Sequence, residues 1–70
     1  MYKYLIIIEK ANGNYSAYSP DLPGCVATRK IVEETKKNMQ EAIEFHIEGL
    51  TIEGLLIPES EAISDYVTIG

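Results

Sequence analysis

Residues 15–25 read Tyr-Ser-Ala-Tyr-Ser-Pro-Asp-Leu-Pro-Gly-Cys, and two prolines three residues apart leave the chain few routes through this stretch. Before them, Tyr15, Ala17 and Ser19 project to one side of a strand, Ser16 and Tyr18 to the other. Pro20 and Pro23 then fix φ and remove a backbone donor each, so strand pairing stops. Each also holds its predecessor, Ser19 or Leu22, extended. Gly24 lets the chain turn back, and residues 25–29 read as the next strand. Leu22 is caught between the prolines at a stiff corner. A corner with an exposed leucine is either a structural bend or a contact surface, the bend being the commoner of the two.

The flanking segments follow from their periodicity. Residues 2–9 form a first strand, with Tyr2, Tyr4, Ile6 and Ile8 on one face and Leu5 and Ile7 on the other. Apolar side chains on both faces predict a central strand covered on both sides, and three consecutive isoleucines favour β structure. Residues 11–14, Ala-Asn-Gly-Asn, supply a hairpin turn. Residues 32 to about 54 lack proline and place Val32, Thr35, Met39, Ala42, Ile43, His46 and Leu50 on one helical stripe. Glu34, Lys37, Glu41, Glu44 and Glu48 fall opposite. Glu33 and Glu34 suit the first turn electrostatically, although no Ser, Thr, Asp or Asn stands ready as a cap. Gly49 and Gly54 weaken the helix end, and Pro58 forbids continuation. Residues 63–69 read as a last strand, with Ile63, Asp65, Val67 and Ile69 on one face.

Counting directions, the first strand runs up, the second down, the third up, the helix down and the fourth up. The fourth is then parallel to the first, with the helix as the crossover that such a pair requires. The expected fold is α+β, β-β-β-α-β, a four-stranded mixed sheet of order 3-2-1-4 with one helix on one face. The other sheet face shows apolar side chains to water, which predicts a partner. Free sheet rims and a charged helix flank that grip another protein are expected only with residues 2–9 inside this sheet; with those residues at its margin the expected function falls too.

Seventy residues make a single domain, 1–70. A chain this short buries only roughly 60% of its unfolded surface. One cysteine gives no internal disulfide, and one Cys with one His does not staple the fold through a metal. Self-association, as a homodimer or higher homo-oligomer, is the expected support. Eleven acids against six bases give a net charge of −5. That opposes direct DNA or RNA binding and suits a basic protein partner. No apolar run reaches membrane-spanning length, and a lone cysteine without an export signal points to the cytoplasm.

The corner Ser19-Pro-Asp-Leu-Pro-Gly-Cys25, followed by Glu33-Glu34, Asn38, Glu41-Ala42-Ile43, His46, Leu50, Gly54 and Ile57-Pro58, resembles the HicB-like antitoxin family over nearly the whole chain. The resemblance implies a partial ribonuclease-H-like fold, in agreement with the topology above. It also implies that the protein neutralises a small basic toxin, HicA, an mRNA-cleaving ribonuclease, by masking it. Two departures stand out. Arg29-Lys30-Ile31 replaces the Gly-Asp-Thr-like turn that opens the family's helix. Many members also continue into a DNA-binding domain, and no operator binding is expected of residues up to Gly70.

The rigid corner and the acidic helix side make Tyr18, Asp21, Leu22 and Pro23, with Glu41, Glu44 and Glu48, the candidate partner-binding residues. No catalytic residue, cofactor or metal is expected. Two enzymatic alternatives carry less weight. Cys25 and His46 are a conceivable nucleophilic pair, but a packed cysteine and a core-rim histidine are the commoner meaning. Glu9, Glu48 and Asp65 lie on the elements that would hold two metals in a small hydrolase or nuclease, yet nothing fixes them to meet. An orphan structural dimer is the remaining alternative.

Overall fold

The two prolines each open a β-turn, and the turns run back to back. The computed structural model describes residues 2–70. In it the Leu22 N–H donates to the Ser19 carbonyl (3.2 Å) and the Cys25 N–H to the Leu22 carbonyl (3.2 Å). Pro20 and Pro23 thus occupy the second position of each turn, where a fixed φ is pre-organised. Gly24 takes φ +89° in the third position of the second turn, a conformation that an L side chain resists. The shared residue, Leu22, points inward and is completely buried. The expectation of an exposed leucine is therefore corrected: two successive reversals aim its side chain into the core.

Three strands surround this corner: β1 (Ile7–Lys10), β2 (Tyr15–Tyr18) and β3 (Val26–Arg29), followed by α1 (Val32–Ile52). They form an antiparallel sheet of order β1-β2-β3. Ile8 pairs with Ala17 and Ala17 with Ala27, so these three share a face. That face meets the helix, where Ala17, Leu22, Cys25, Ala27 and Met39 form the buried core. Tyr4, Ile6, Ile8, Ile43 and Ile47 pack against it. The opposite face carries Ile7, Tyr18 and Val26, of which Tyr18 and Val26 are exposed.

The helix begins where its sequence pattern predicts, without a conventional cap. Ile31 holds the N-cap with an extended backbone and no capping side chain. Thr35, fully buried, donates both its N–H (3.0 Å) and its hydroxyl (2.8 Å) to the Ile31 carbonyl. At the other end the Leu55 N–H reaches the Leu50 carbonyl (2.9 Å) and the Gly54 N–H the Thr51 carbonyl (3.1 Å). With Gly54 at φ +69°, this is a Schellman closure, which satisfies carbonyls the helix leaves free.

Three expectations are corrected. Pairing in the first strand begins at Ile7 rather than Tyr2, because β2 gives way to the proline corner where residues 2–6 would need a neighbour. The Ser19 hydroxyl instead caps this region by donating to the Leu5 carbonyl (2.9 Å). Residues 63–69 form no strand. The order 3-2-1-4 is consequently shortened to three strands, and β1 lies at the sheet margin rather than inside. With the fourth strand goes the structural basis for a ribonuclease-H-like description. The α+β class with one helix on one sheet face stands.

Leu22→Ala would remove a completely buried side chain shared by two turns, at a cost of about 2–5 kcal/mol. Against the roughly 5–15 kcal/mol that holds a domain together, this is severe. Urea denaturation followed by circular dichroism should show a large fall in the midpoint, while Pro23→Ala, at an exposed position, should cost far less.

Candidate interaction site

Three stretches far apart in sequence meet at the corner. Ser19 grips Leu5, as above. Asp21 accepts hydrogen bonds from the backbone N–H of Glu61 (3.2 Å) and of Ala62 (3.2 and 3.3 Å to its two oxygens). The Tyr4 hydroxyl donates to the Pro58 carbonyl. The connector after the helix is therefore held against the start of the chain and against the corner. A carboxylate that accepts several backbone N–H bonds is a strong anchor, and nothing in the alternation of residues 15–25 assigns Asp21 this task.

Beside the anchor, the helix lies chiefly over β3 and β2. Toward β1 it leaves a groove of about 710 Å³ with Tyr2, Tyr4 and Ile6 on one wall and Ile43 and Ile47 on the other. Tyr2 and Tyr4 stack along it, ring centroids 6.3 Å apart. Glu44 and Glu48 line its helix side together with Lys36. Glu41 is exposed and outside it.

Of the residues expected to bind a partner, Tyr18, Pro23, Glu41, Glu44 and Glu48 are on the surface, and Asp21 is half-buried. Leu22 is withdrawn from that set, because a side chain with no exposed surface touches no partner. The corner and the helix acids are on separate elements, and only Glu44 and Glu48 share the groove. Ile47 was missing from the expected helical stripe although it packs on the core. Its spacing of four from Ile43 was the available signal.

Cys25 and His46 do line one shallow depression, together with Phe45 and Leu50. The thiol is buried, and that burial pushes its pKa up, which keeps it protonated at neutral pH and unsuited to nucleophilic work. Glu9, Glu48 and Asp65 do not converge. Among the described residues no three His, Cys, Asp or Glu side chains stand close enough together to hold a metal.

A model of the family described as "HicB_like antitoxin of bacterial toxin-antitoxin system" matches residues 4–69. This chain belongs to the HicB-like antitoxin family. It is 41% identical over 64 residues to a 14.9 kDa protein from the rep-hol intergenic region of Haemophilus phage HP1. That alignment takes in 91% of this chain and 48% of the phage protein, so the chain spans about half the length of that relative. It is also 38% identical over 64 residues to a UPF0150 protein of Synechocystis, covering 90% of this chain and 81% of the other. A UPF0150 protein of Thermoplasma acidophilum is 39% identical over 61 residues, covering 86% and 88%. No solved structure matches. No helix among the described residues of this HicB-like chain is long and apolar enough to cross a membrane.

The anchor has a titration signature. Burial foremost, then the nearby Tyr2 and Asp21, raises the Tyr4 pKa above its ordinary 10.0. Above pH 10.0 the unfolded chain ionises before the folded one. The Tyr4 contribution is thus fully present below that pH and lost as pH rises through the raised folded value. Cys25 behaves likewise from its ordinary 9.0. Stability measured by urea unfolding should decline above pH 9, and Tyr4→Phe should decline less steeply above pH 10.

Proposed function

We propose that this chain neutralises a small basic, mRNA-cleaving toxin of the HicA type by covering it, as a homodimeric and non-catalytic binding protein of the cytoplasm. The observation that carries the reading is the family match across residues 4–69. The central isoleucine strand expected to underlie this function is not met, since β1 is marginal, and the family match alone carries the reading. The net charge of −5 supports a basic partner. So does the exposed acidic side of α1, where Glu41, Glu44 and Glu48 follow one another at helical spacing. The open sheet face, with Tyr18 exposed beside Val26, offers an aromatic anchor of the kind that dominates binding energy. Pro23 is exposed at the corner, where Asp21 holds the connector in place. The net charge gives no support to direct contact with DNA. The hydrolase alternative has no converging carboxylates among the described residues to stand on.

Purified protein mixed with the small basic protein encoded alongside it should form a complex and stop that protein cleaving mRNA. Failure to bind, with failure to relieve growth arrest, overturns the reading. Replacing Glu41, Glu44 and Glu48 together by Gln should slow association about tenfold at low salt, and the difference should shrink at high salt. Unchanged association in that variant would make the acidic side a solvated surface and leave the sheet face as the contact.

A further inference from the structure

After Ala62 the chain leaves the body of the molecule. Ile63, Tyr66, Val67 and Ile69 are 90%, 96%, 84% and 89% exposed. The molecule measures 47 × 27 × 18 Å with a radius of gyration of 13.6 Å, where a compact chain of this length would have about 11 Å. Yet the composition of this tail is that of a strand. β-Branched and aromatic residues dominate residues 63–69, with no proline or glycine among them. Solvent is a poor destination for four such side chains in seven residues.

The molecule also carries the complementary vacancy. β1 is a margin strand whose outer backbone groups are unpaired within the sheet, and such an edge is a template for another strand. The groove beside residues 2–6, which lead into that strand, has apolar walls in Tyr4, Ile6, Ile43 and Ile47, carries Lys36, Glu44 and Glu48 on its helix side, and is open. The tail does not fill that groove in its own chain. Its root is pinned at Pro58 by Tyr4 and at residues 61–62 by Asp21, and beyond it the large apolar side chains are exposed and line no part of the groove.

We propose that residues 63–69 of one copy add as a strand to the free β1 edge of a second copy, with Ile63, Val67 and Ile69 entering the groove beneath α1 and Asp65, on the same face, brought to the side that carries Lys36 with Glu44 and Glu48. This rests on the homodimer part of the reading above and not on the toxin. Because each chain carries both the donor tail and the acceptor edge, the exchange is reciprocal and closes on itself as a two-fold dimer. The tail–groove contact then occurs twice in the interface, each copy burying one tail and one groove, which brings it toward the roughly 800 Å² per partner of a stable complex. The geometry is strand addition, with backbone hydrogen bonds giving affinity and alternate side chains giving register.

The test uses the full chain without toxin, comparing the wild type with Val67→Asp/Ile69→Asp. Both positions are exposed, so the single-copy fold is not perturbed. Sedimentation should give a dimer for the wild type and a twofold lower mass for the variant, with helical circular dichroism retained. Hydrogen exchange should show amides of residues 4–8 and 63–69 protected in the wild type and released in the variant. A dimer that survives in the variant overturns the tail exchange but leaves the homodimer standing on another surface. A monomeric wild type overturns both. If its tail amides are nevertheless protected, the tail closes on its own sheet instead.

Discussion

Leu22 sits at the single point through which the rest of this small fold is connected. Its N–H and carbonyl are both used by the flanking turns, and its side chain is wholly inside the core. A buried loop must account for its backbone polar groups, and here prolines at two positions reduce the number of donors that need partners. Ser19 and Asp21, both just before it, spend their polar atoms on segments remote in sequence, Leu5 and residues 61–62. One corner therefore joins β2 to β3, fastens the start of the chain and fixes the point from which the tail departs. The corner is thus a structural device before it is a contact surface.

The placement of the helix follows from small residues. Ala17 and Ala27, paired across β2 and β3, present only methyl groups, so α1 settles over them with Met39 and Thr35 fully buried. The isoleucines and tyrosines of the chain start are larger, and on that side sheet and helix diverge into a groove. The same asymmetry decides the electrostatics. Glu44 and Glu48 stand where the helix overhangs the groove, and the Lys36 side chain shares that rim.

Local chemistry made much of this legible. Two prolines and a glycine marked the corner, and the proline-free, Glu- and Lys-rich run marked a helix ending near Gly54. Thr35 replaced the missing cap by a route that spacing alone did not show, since its hydroxyl turned to the carbonyl four residues back. The direction of Leu22 was not legible. Pro-x-x-Pro sets the turns, but which side of the sheet they fold toward is decided by what the core lacks. Residues 2–6 and 63–69 have strand composition but form no strand. What composition does not specify is whether a neighbouring strand exists within the chain. Of the candidate site, the surface positions of the corner and helix acids were readable, whereas the anchoring role of Asp21 depends on a contact forty residues away.

A core of five buried apolar residues is little for a chain that leaves Phe45, Leu56 and the whole tail in water. Anything that binds only the folded form adds stability by mass action, so the proposed dimer and the proposed toxin complex would both stabilise this fold. They would also not be independent. A tail seated in the groove lies beside Glu44 and Glu48, the acids expected to steer a basic partner, whereas Glu41 and the open sheet face lie away from the seam. A toxin drawn to the acidic side of α1 would then meet a surface composed of both copies. It would find that surface complete only once the exchange had taken place, which would couple the proposed neutralisation to the concentration of this chain itself.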